Sequence, residues 1–404
     1  MDANALFTAA LGLIPPWLVE SIDFDEAKSE VNIHLDFGRG GRFSCPSCGS
    51  KDCPVHDTTE KRWRHLNFFQ HKAFLMARVP RIKCESCGVK LVDVPWGRKD
   101  SGFTLLFEAL VMQLATHMPI APLARLVEET DMRLWRIIKH YVEEAVDRID
   151  CEDLENLGVD ETSARRGHDY VTLFYDLDQK RLVFVADGKD AETFEDFDEF
   201  VWEHNGNTVN IREVSCDMSP AFRKGIREIT HNAHITFDRF HIAKMLNEAV
   251  DKVRKKESRK DKTVKGSKYI WLRRPERLTA RQKERLSELS GRFGVLAEAY
   301  RLKESFRDFY EQPDQKSGRG FLKGWIADAL QSGIAPIIKV AQTVRDHWNG
   351  LMRWHVTKIN NGVMEALASL IQAAKRKARG YRVKGTLRIM AYLIAGRLDL
   401  RLPT

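Results

Sequence analysis

Three acidic residues far apart in the chain, Asp160, Asp217 and Glu365, stand where they could be aimed at one metal-binding centre. Asp160 lies in the run Asn156-Leu-Gly-Val-Asp-Glu-Thr, and Asp217 closes the strand-like run Val209-Asn-Ile-Arg-Glu-Val-Ser-Cys-Asp, so both read as carboxylates at strand ends. Glu365 opens a helical stretch from Asn361 to Lys377, whose later turns and exit carry Lys375, Arg376, Lys377 and Arg379. Carboxylates with nothing between them repel, whereas hard divalent cations such as Mg²⁺ (or Mn²⁺) prefer oxygen ligands. A carboxylate trio beside a basic face suits phosphodiester chemistry, in which two such ions about 3.5–4 Å apart activate a water and stabilise the leaving oxygen. Each acid also has a structural alternative. Asp160 could sit in a turn, Asp217 could cap a helix beginning near Pro220, and Glu365 could pair with Ser369 or Lys375 on an exposed face. Glu161 competes with Asp160, and strand alternation alone does not separate them.

Four of the seven cysteines form two matching hooks, Cys45-Pro-Ser-Cys48-Gly and Cys84-Glu-Ser-Cys87-Gly. The Cys-x-x-Cys spacing lets both sulfurs of a hook reach one ion, the glycine permits a tight turn, and two hooks make a tetrahedral four-thiolate Zn²⁺ site. Cys53 and His56 lie close enough in sequence to replace a ligand. The strand-like runs Arg62–Phe69 and Ala73–Val79 between the hooks point to a zinc ribbon with a long connection. A closed four-cysteine site is structural, so one zinc ion should fold the module and present Arg62, Arg64 and Lys83 to a partner.

From Phe103 to Ile149 the apolar spacing becomes helical. Ala121–Thr130, a turn at Asp131-Met132, and Arg133–Val142 read as helix, short turn, helix, with Arg133, Arg136, Lys139 and His140 free to face a DNA groove. Beyond it, a strand through Val159–Thr162 leads to strands over Tyr170–Asp178 and Arg181–Asp187, a helix over 191–203, a strand over Val209–Cys216, a helix over 220–229 and a strand at His234–Asp238. Strand-strand-strand-helix-strand-helix-strand is the ribonuclease H-like order, in which the first and fourth strands are neighbours. Asp160 and Asp217 would then be adjacent although 57 positions apart.

The chain has 404 residues, 43% of them hydrophobic, which is too long for one core and too apolar for disorder. Its basic character is concentrated: Lys252–Arg285 holds 15 Lys or Arg against 4 Asp or Glu, more than the whole-chain excess of +8, so the remainder is slightly acidic. A solvated linker would share that composition, but Tyr269 and Trp271 inside the run favour an ordered polyanion-binding surface, with Arg273 and Arg274 as candidate DNA contacts. No apolar window spans a membrane and the first residues lack a positive leader, so a cytoplasmic, nucleoid-associated bacterial protein with no membrane contact is expected. An odd cysteine count fits metal ligands in a reducing compartment.

Along nearly its whole length the chain resembles the bacterial ISL3-type insertion-sequence transposases. The motifs are Gly158-Val-Asp160-Glu-Thr, Ser215-Cys-Asp217-Met-Ser, Asp238-Arg-Phe-His241, and Asn360-Asn-Gly-Val-Met-Glu365 through Lys375-Arg376 and Gly380-Tyr381. The resemblance implies a multi-domain α/β protein: an N-terminal segment with a zinc ribbon (1–100), a helix-turn-helix (101–150), and a ribonuclease H-like mixed sheet (151–252). It further implies a mostly helical basic insertion (253–354) and closing helices carrying Glu365 (355–404). It implies a DDE transposase in which Asp160, Asp217 and Glu365 hold two Mg²⁺ (or Mn²⁺) ions. It would bind terminal inverted repeats as a homodimer or higher assembly, free 3′ hydroxyls by hydrolysis and join them to double-stranded target DNA. Lys375, Arg376 and Arg379 would hold the substrate backbone, and the Asp238-x-x-His241 element would orient a phosphate or flanking strand. Ala366, Ala368 and Gln372 depart from the glycine, asparagine and lysine expected there. Two other readings predict different behaviour: a regulator of this architecture would bind DNA and never cut it, and a structure-selective nuclease such as a junction resolvase would need no terminal repeats.

Overall fold

The computed structural model of the chain describes residues 2–164, 169–358 and 362–403, so Asn360 and Asn361 of the Glu365 motif lie outside the described residues. The chain forms two compact units, one of residues 1–145 with 399–404, the other of residues 146–398.

The first unit is built on a six-stranded sheet: β1 (Trp17–Asp25), β2 (Glu30–Phe37), β3 (Arg42–Phe43), β4 (Cys53–Phe68), β5 (His71–Cys84) and β6 (Gly88–Leu91). The order is β1-β2-β5-β4-β3, with β6 on β5. The long β4–β5 hairpin contains both runs expected as strands. The β1–β2 pair was not anticipated, although Val31, Ile33 and Leu35 of β2 alternate inward with the period of a half-buried strand. These side chains join Trp17, Trp63, Leu75 and Trp96 in one core. Three helices follow, Leu105–Ala115, Ile120–Val127 and Asp131–Val146. The second ends on Glu128 in the left-handed region (φ 54°), which turns the chain sharply into the third.

The second unit holds a five-stranded sheet: β7 (Asn156–Ser163), β8 (Tyr170–Asp176), β9 (Arg181–Asp187), β10 (Glu213–Cys216) and β11 (His234–Phe237), in the order β11-β10-β7-β8-β9. The strands β7, β8 and β9 form an antiparallel meander, and β10 runs parallel to both β7 and β11. Strand β8 is apolar on both faces and nearly all buried, as befits a strand covered on both sides; Phe174 stacks on Phe197 of the helix Glu192–Glu203 at 4.3 Å between centroids. One boundary differs from the sequence reading. The strand expected from Val209 starts at Glu213, because Asn207 accepts a hydrogen bond from the Val209 amide (3.0 Å) and turns Thr208–Asn210 into a short 3₁₀ helix.

After β11 the chain is helical up to Thr357 apart from short turns, beginning with the long helix Arg239–Lys260 and ending with Trp348–Thr357, which packs back on β11. Trp271, from the basic run, is fully buried, and its indole N–H donates to Ser267 Oγ at 3.1 Å. Buried Lys303 donates to the Trp271 carbonyl at 2.8 Å, so the basic run is anchored rather than loose. The helices Gly362–Lys377 and Lys384–Ala395 then return to the sheet.

Candidate active site

Alignment of the first two acids follows from strand pairing. In the β7–β10 ladder Asn156 pairs with Glu213, Leu157 with Val214 and Gly158 with Ser215, a constant offset that brings Asp217 level with Asp160 just past the last pair. Packing distinguishes the two sides of β7. Gly158, Asp160 and Thr162 share one face of the strand. A Cβ at Gly158 would lie 2.3 Å from Met364 Sδ, and the Thr162 hydroxyl accepts a hydrogen bond from Gln372, so the helix Gly362–Lys377 crosses that face. Asp160 is between those two contacts and faces the helix that carries Glu365, whereas Glu161 points to the opposite side.

The carboxylates share an acidic field. Burial is the main force lifting Asp160 to about 6; Asp238 and Asp217 add to it, against the Glu161 amide, which donates at 2.8 Å, and against His241. Glu365 is moved upward by partial desolvation and then by Asp238 and Asp160, while Arg239 opposes. Asp217 accepts from the Ser219 amide at 2.8 Å, and Asp238 caps the helix Arg239–Lys260 by accepting from the Phe240 amide at 2.8 Å. Both acids therefore do local structural work with one oxygen and leave the other for the site. His241 lies between them, 3.3 Å from Asp238 and 3.6 Å from Asp217, and its hydrogen bond to Asp238 raises its pKa above the ordinary range. Such a cluster of hard oxygen donors, each burdened by its neighbours' charge, is chemically fitted to a divalent cation. Among the described residues, however, the four cysteines are the one group of metal-ligating side chains whose donor atoms come within 4.8 Å of one another.

The cysteine cluster is Cys45, Cys48, Cys84 and Cys87. Each hook closes on a glycine in the left-handed region, Gly49 and Gly88, both at φ 73°. In the first hook the Gly49 amide donates to the Cys45 carbonyl at 2.9 Å and the Cys45 amide to Ser50 at 2.8 Å. Sulfurs this close cannot all be charged unless a cation sits among them: the Ser50 hydroxyl and amide draw Cys48 down to about 6, while the Cys48 sulfur and burial push Cys87 up to about 12. Cys53 lies nearby, its thiol donating to the Ser50 carbonyl at 3.4 Å, and neither it nor His56 belongs to the cluster.

The basic candidates fall into different environments. Arg64, expected to be presented to a partner, is 2% exposed: it donates to the His65 carbonyl and to Asn67, and lies 5.3 Å from the Phe107 ring centroid. Arg62 pairs with Glu30 at 2.6 Å and sits 3.4 Å over Phe74, while Lys83 is exposed. On the helix Asp131–Val146, Arg133 pairs with Glu129 and lies 4.2 Å over Phe103, whereas Arg136 and Lys139 stay on the exposed face. The opposite face, Leu134, Ile137, Ile138 and Tyr141, is buried. Tyr141 donates to Glu108, a carboxylate that is 0% exposed and also receives Arg98 (2.8 Å) and Ser101 (2.6 Å), which ties the first of the three helices to the third. Arg273 and Arg274 are exposed, with Arg273 5.6 Å from the exposed Tyr269 ring. Lys375 donates to the Ser163 carbonyl, and Arg376 and Arg379 are exposed. Two residues take roles that the sequence reading did not give them: Gln372, noted there as a departure from lysine, fastens the Glu365 helix to β7, and Arg239 partly offsets the upward pull on Glu365.

Known proteins match the whole of this layout. The family model for the ISL3 transposase covers residues 157–391, more than half of the chain. The helix-turn-helix domain of transposase family ISL3 matches residues 92–142, and the zinc-finger of transposase IS204/IS1001/IS1096/IS1165 matches residues 41–87, a span that includes all four clustered cysteines. The transposase for insertion sequence element IS1001 of Bordetella parapertussis is 28% identical over 349 aligned positions, covering 84% of this chain and 85% of that protein. The transposase for insertion sequence element IS1557 of Mycobacterium tuberculosis is 26% identical over 431 aligned positions, covering 96% and 94% respectively. With a zinc-finger, a DNA-binding helix-turn-helix and a DDE domain in that order, the chain belongs to the ISL3 family of insertion-sequence transposases.

Proposed function

We propose that this protein binds the terminal inverted repeats of its own insertion sequence, hydrolyses phosphodiester bonds there to free 3′ hydroxyls, and joins those ends to target DNA. The observation that carries the reading is the parallel β7–β10 register, which aligns Asp160 with Asp217 beneath the helix bearing Glu365. These three residues would hold Mg²⁺ or Mn²⁺, and two ions there would supply an activated water and charge stabilisation of the leaving oxygen. The chain's own task is positioning. The Glu161 amide orients Asp160, the Ser219 amide orients Asp217, and His241 spans Asp217 and Asp238 near the reacting phosphate. Catalysis is thereby assigned to geometry and electrostatics, with no covalent protein intermediate.

The four cysteines hold one structural zinc in this reading, and Arg136, Lys139, Arg273, Arg274, Arg376 and Arg379 contact DNA backbone, in a manner that weakens with salt. Lys375, tied to β7, reaches DNA only by giving up the Ser163 carbonyl. Synapsis of two ends makes the working form a homodimer or larger, in the bacterial cytoplasm. Among the described residues no helix is long and apolar enough to cross a membrane.

The test is a plasmid excision assay with Asp160→Asn, Asp217→Asn and Glu365→Gln. Each variant should lose excision by several orders of magnitude while still shifting a terminal-repeat duplex in a gel. Full activity in any one removes that residue from the centre. A wild-type protein that binds the ends but never cuts with Mg²⁺ or Mn²⁺ would leave the chain a regulator.

A further inference from the structure

A cleft of about 380 Å³ opens in the unit of residues 146–398, beside the edge strand β11. Its walls come from two sources. The helix Pro220–Ile229 and β11 contribute Arg223, Arg227 and His234; the returning helices Ala335–Asp346 and Trp348–Thr357, with the residue joining them, contribute Arg345, His347 and Arg353. A bare ribonuclease H-like sheet would have only half of this cleft.

The charges in it are unevenly matched. Arg353 is neutralised by Glu213, and Arg345 lies 3.6 Å from Asp346, a pair that is mostly exposed. Among the described residues, Arg223 and Arg227 have no carboxylate partner. Arg223 is instead oriented by a neutral group. His347 Nδ1–H donates to the Thr343 carbonyl (2.8 Å), which leaves Nε2 to accept from Arg223 Nη1 (3.0 Å), and the ring rests edge-on against Phe237. That arrangement fixes a guanidinium without cancelling its charge, and its buried Nε finds no acceptor among the described residues. Arg227 stands one turn further along the same helix, on the same side. Two uncompensated guanidiniums, a third that is weakly paired and an adjacent imidazole form a set suited to phosphate oxygens, because the planar fork binds two of them at once.

We propose that this cleft is a phosphate-binding site for a DNA backbone, separate from the acidic centre and completed by the helical insertion. The proposal rests on the transposase reading and extends it by naming where the DNA runs next. Strand β11 has His234 at its start and Asp238 immediately past its end, and four residues of strand span roughly 13 Å, a few nucleotide steps along a DNA strand. A strand whose scissile phosphate lies at Asp160 and Asp217 can therefore reach the cleft without bending far.

The experiment measures duplex binding by the full-length protein over a series of salt concentrations, with wild type, Arg227→Ala/Arg345→Ala, and Lys316→Ala/Lys323→Ala as a control that removes the same charge from an exposed helix outside the cleft. The arginine double variant should flatten the slope of log K against log salt by about one to two and weaken binding about ten-fold or more at low salt. The control should match wild type. In parallel, arginine-selective phenylglyoxal labelling read by mass spectrometry should show Arg227 and Arg345 protected by duplex. Equal slopes in the two double variants would overturn the proposal, as would protection by inorganic phosphate alone at matched phosphate concentration. Failure here is distinguishable from failure of the catalytic reading, because binding and labelling need no cleavage and excision is scored separately in the plasmid assay.

Discussion

At the scale of single residues, the centre depends on one missing methyl group. A Cβ on residue 158 would meet Met364 Sδ at 2.3 Å, Met364 Cγ at 2.8 Å and Leu177 Cδ2 at 2.9 Å, and Met364 is adjacent to Glu365. Gly158→Ala should therefore displace the helix that delivers Glu365, costing about 1–3 kcal/mol of stability and at least ten-fold in excision. Adding Met364→Ala makes room for the new methyl and should recover part of the excision rate; no recovery would mean that the loss has another origin. The same contacts explain what the chain alone could not reveal. Asp160 and Glu161 are equivalent acids in an alternating strand, and only Met364 at Gly158 and Gln372 at Thr162, both remote in sequence, tell the two faces apart. Arg64 was illegible for a related reason: its burial depends on acceptors at His65 and Asn67 and on the Phe107 ring, a set that no local pattern encodes.

At the scale of elements, the cysteine hooks and the two helices of the helix-turn-helix were legible because their requirements are local. Two sulfurs and a glycine specify a hook, and apolar spacing marks the buried face Leu134, Ile137, Ile138 and Tyr141. The β1–β2 pair was equally local and was passed over, since the alternation of Val31, Ile33 and Leu35 stands in plain view. Metal analysis of freshly purified protein should give one zinc per chain, and Cys45→Ser/Cys84→Ser should lose it together with the ordered ribbon; zinc-free, folded wild-type protein would contradict the assignment. A pH dependence arises where β4 meets the first of the three helices. His65 Nδ1 is 2.9 Å from Thr104 Oγ1, and burial, followed by Arg64, drives the ring down to about 4. Between that value and the unfolded value near 6.5 the unfolded chain binds a proton that the folded unit refuses. Stability from this group is thus complete above about pH 6.5 and is lost as pH falls toward 4, by up to about 3 kcal/mol. Urea titrations at pH 7 and pH 4.5 should show a smaller difference for His65→Asn than for wild type.

At the scale of the whole molecule, the order of strands and crossovers was readable from the sequence, because an antiparallel meander followed by helix-strand-helix-strand admits few arrangements. The helices between β11 and Glu365 were readable only as basic and mostly helical, since their contacts with the sheet, such as Gly350 against β11, are set by residues remote in sequence. A Cβ on that residue would lie 2.3 Å from Phe237 Cδ2 and 3.1 Å from the Ile235 carbonyl oxygen. Calorimetry should resolve a transition for each compact unit. Gly350→Ala should lower the one belonging to residues 146–398 by a few degrees, equivalent to about 1–3 kcal/mol, while a zinc chelator should lower the other. A shift of both by either treatment would mean that the units melt as one. The helix beginning at Trp348 also covers the outer edge of β11, whose amides and carbonyls would otherwise be open to any passing chain. A version of this chain cut back to its bare catalytic sheet should therefore be self-adhesive and clump before it meets DNA.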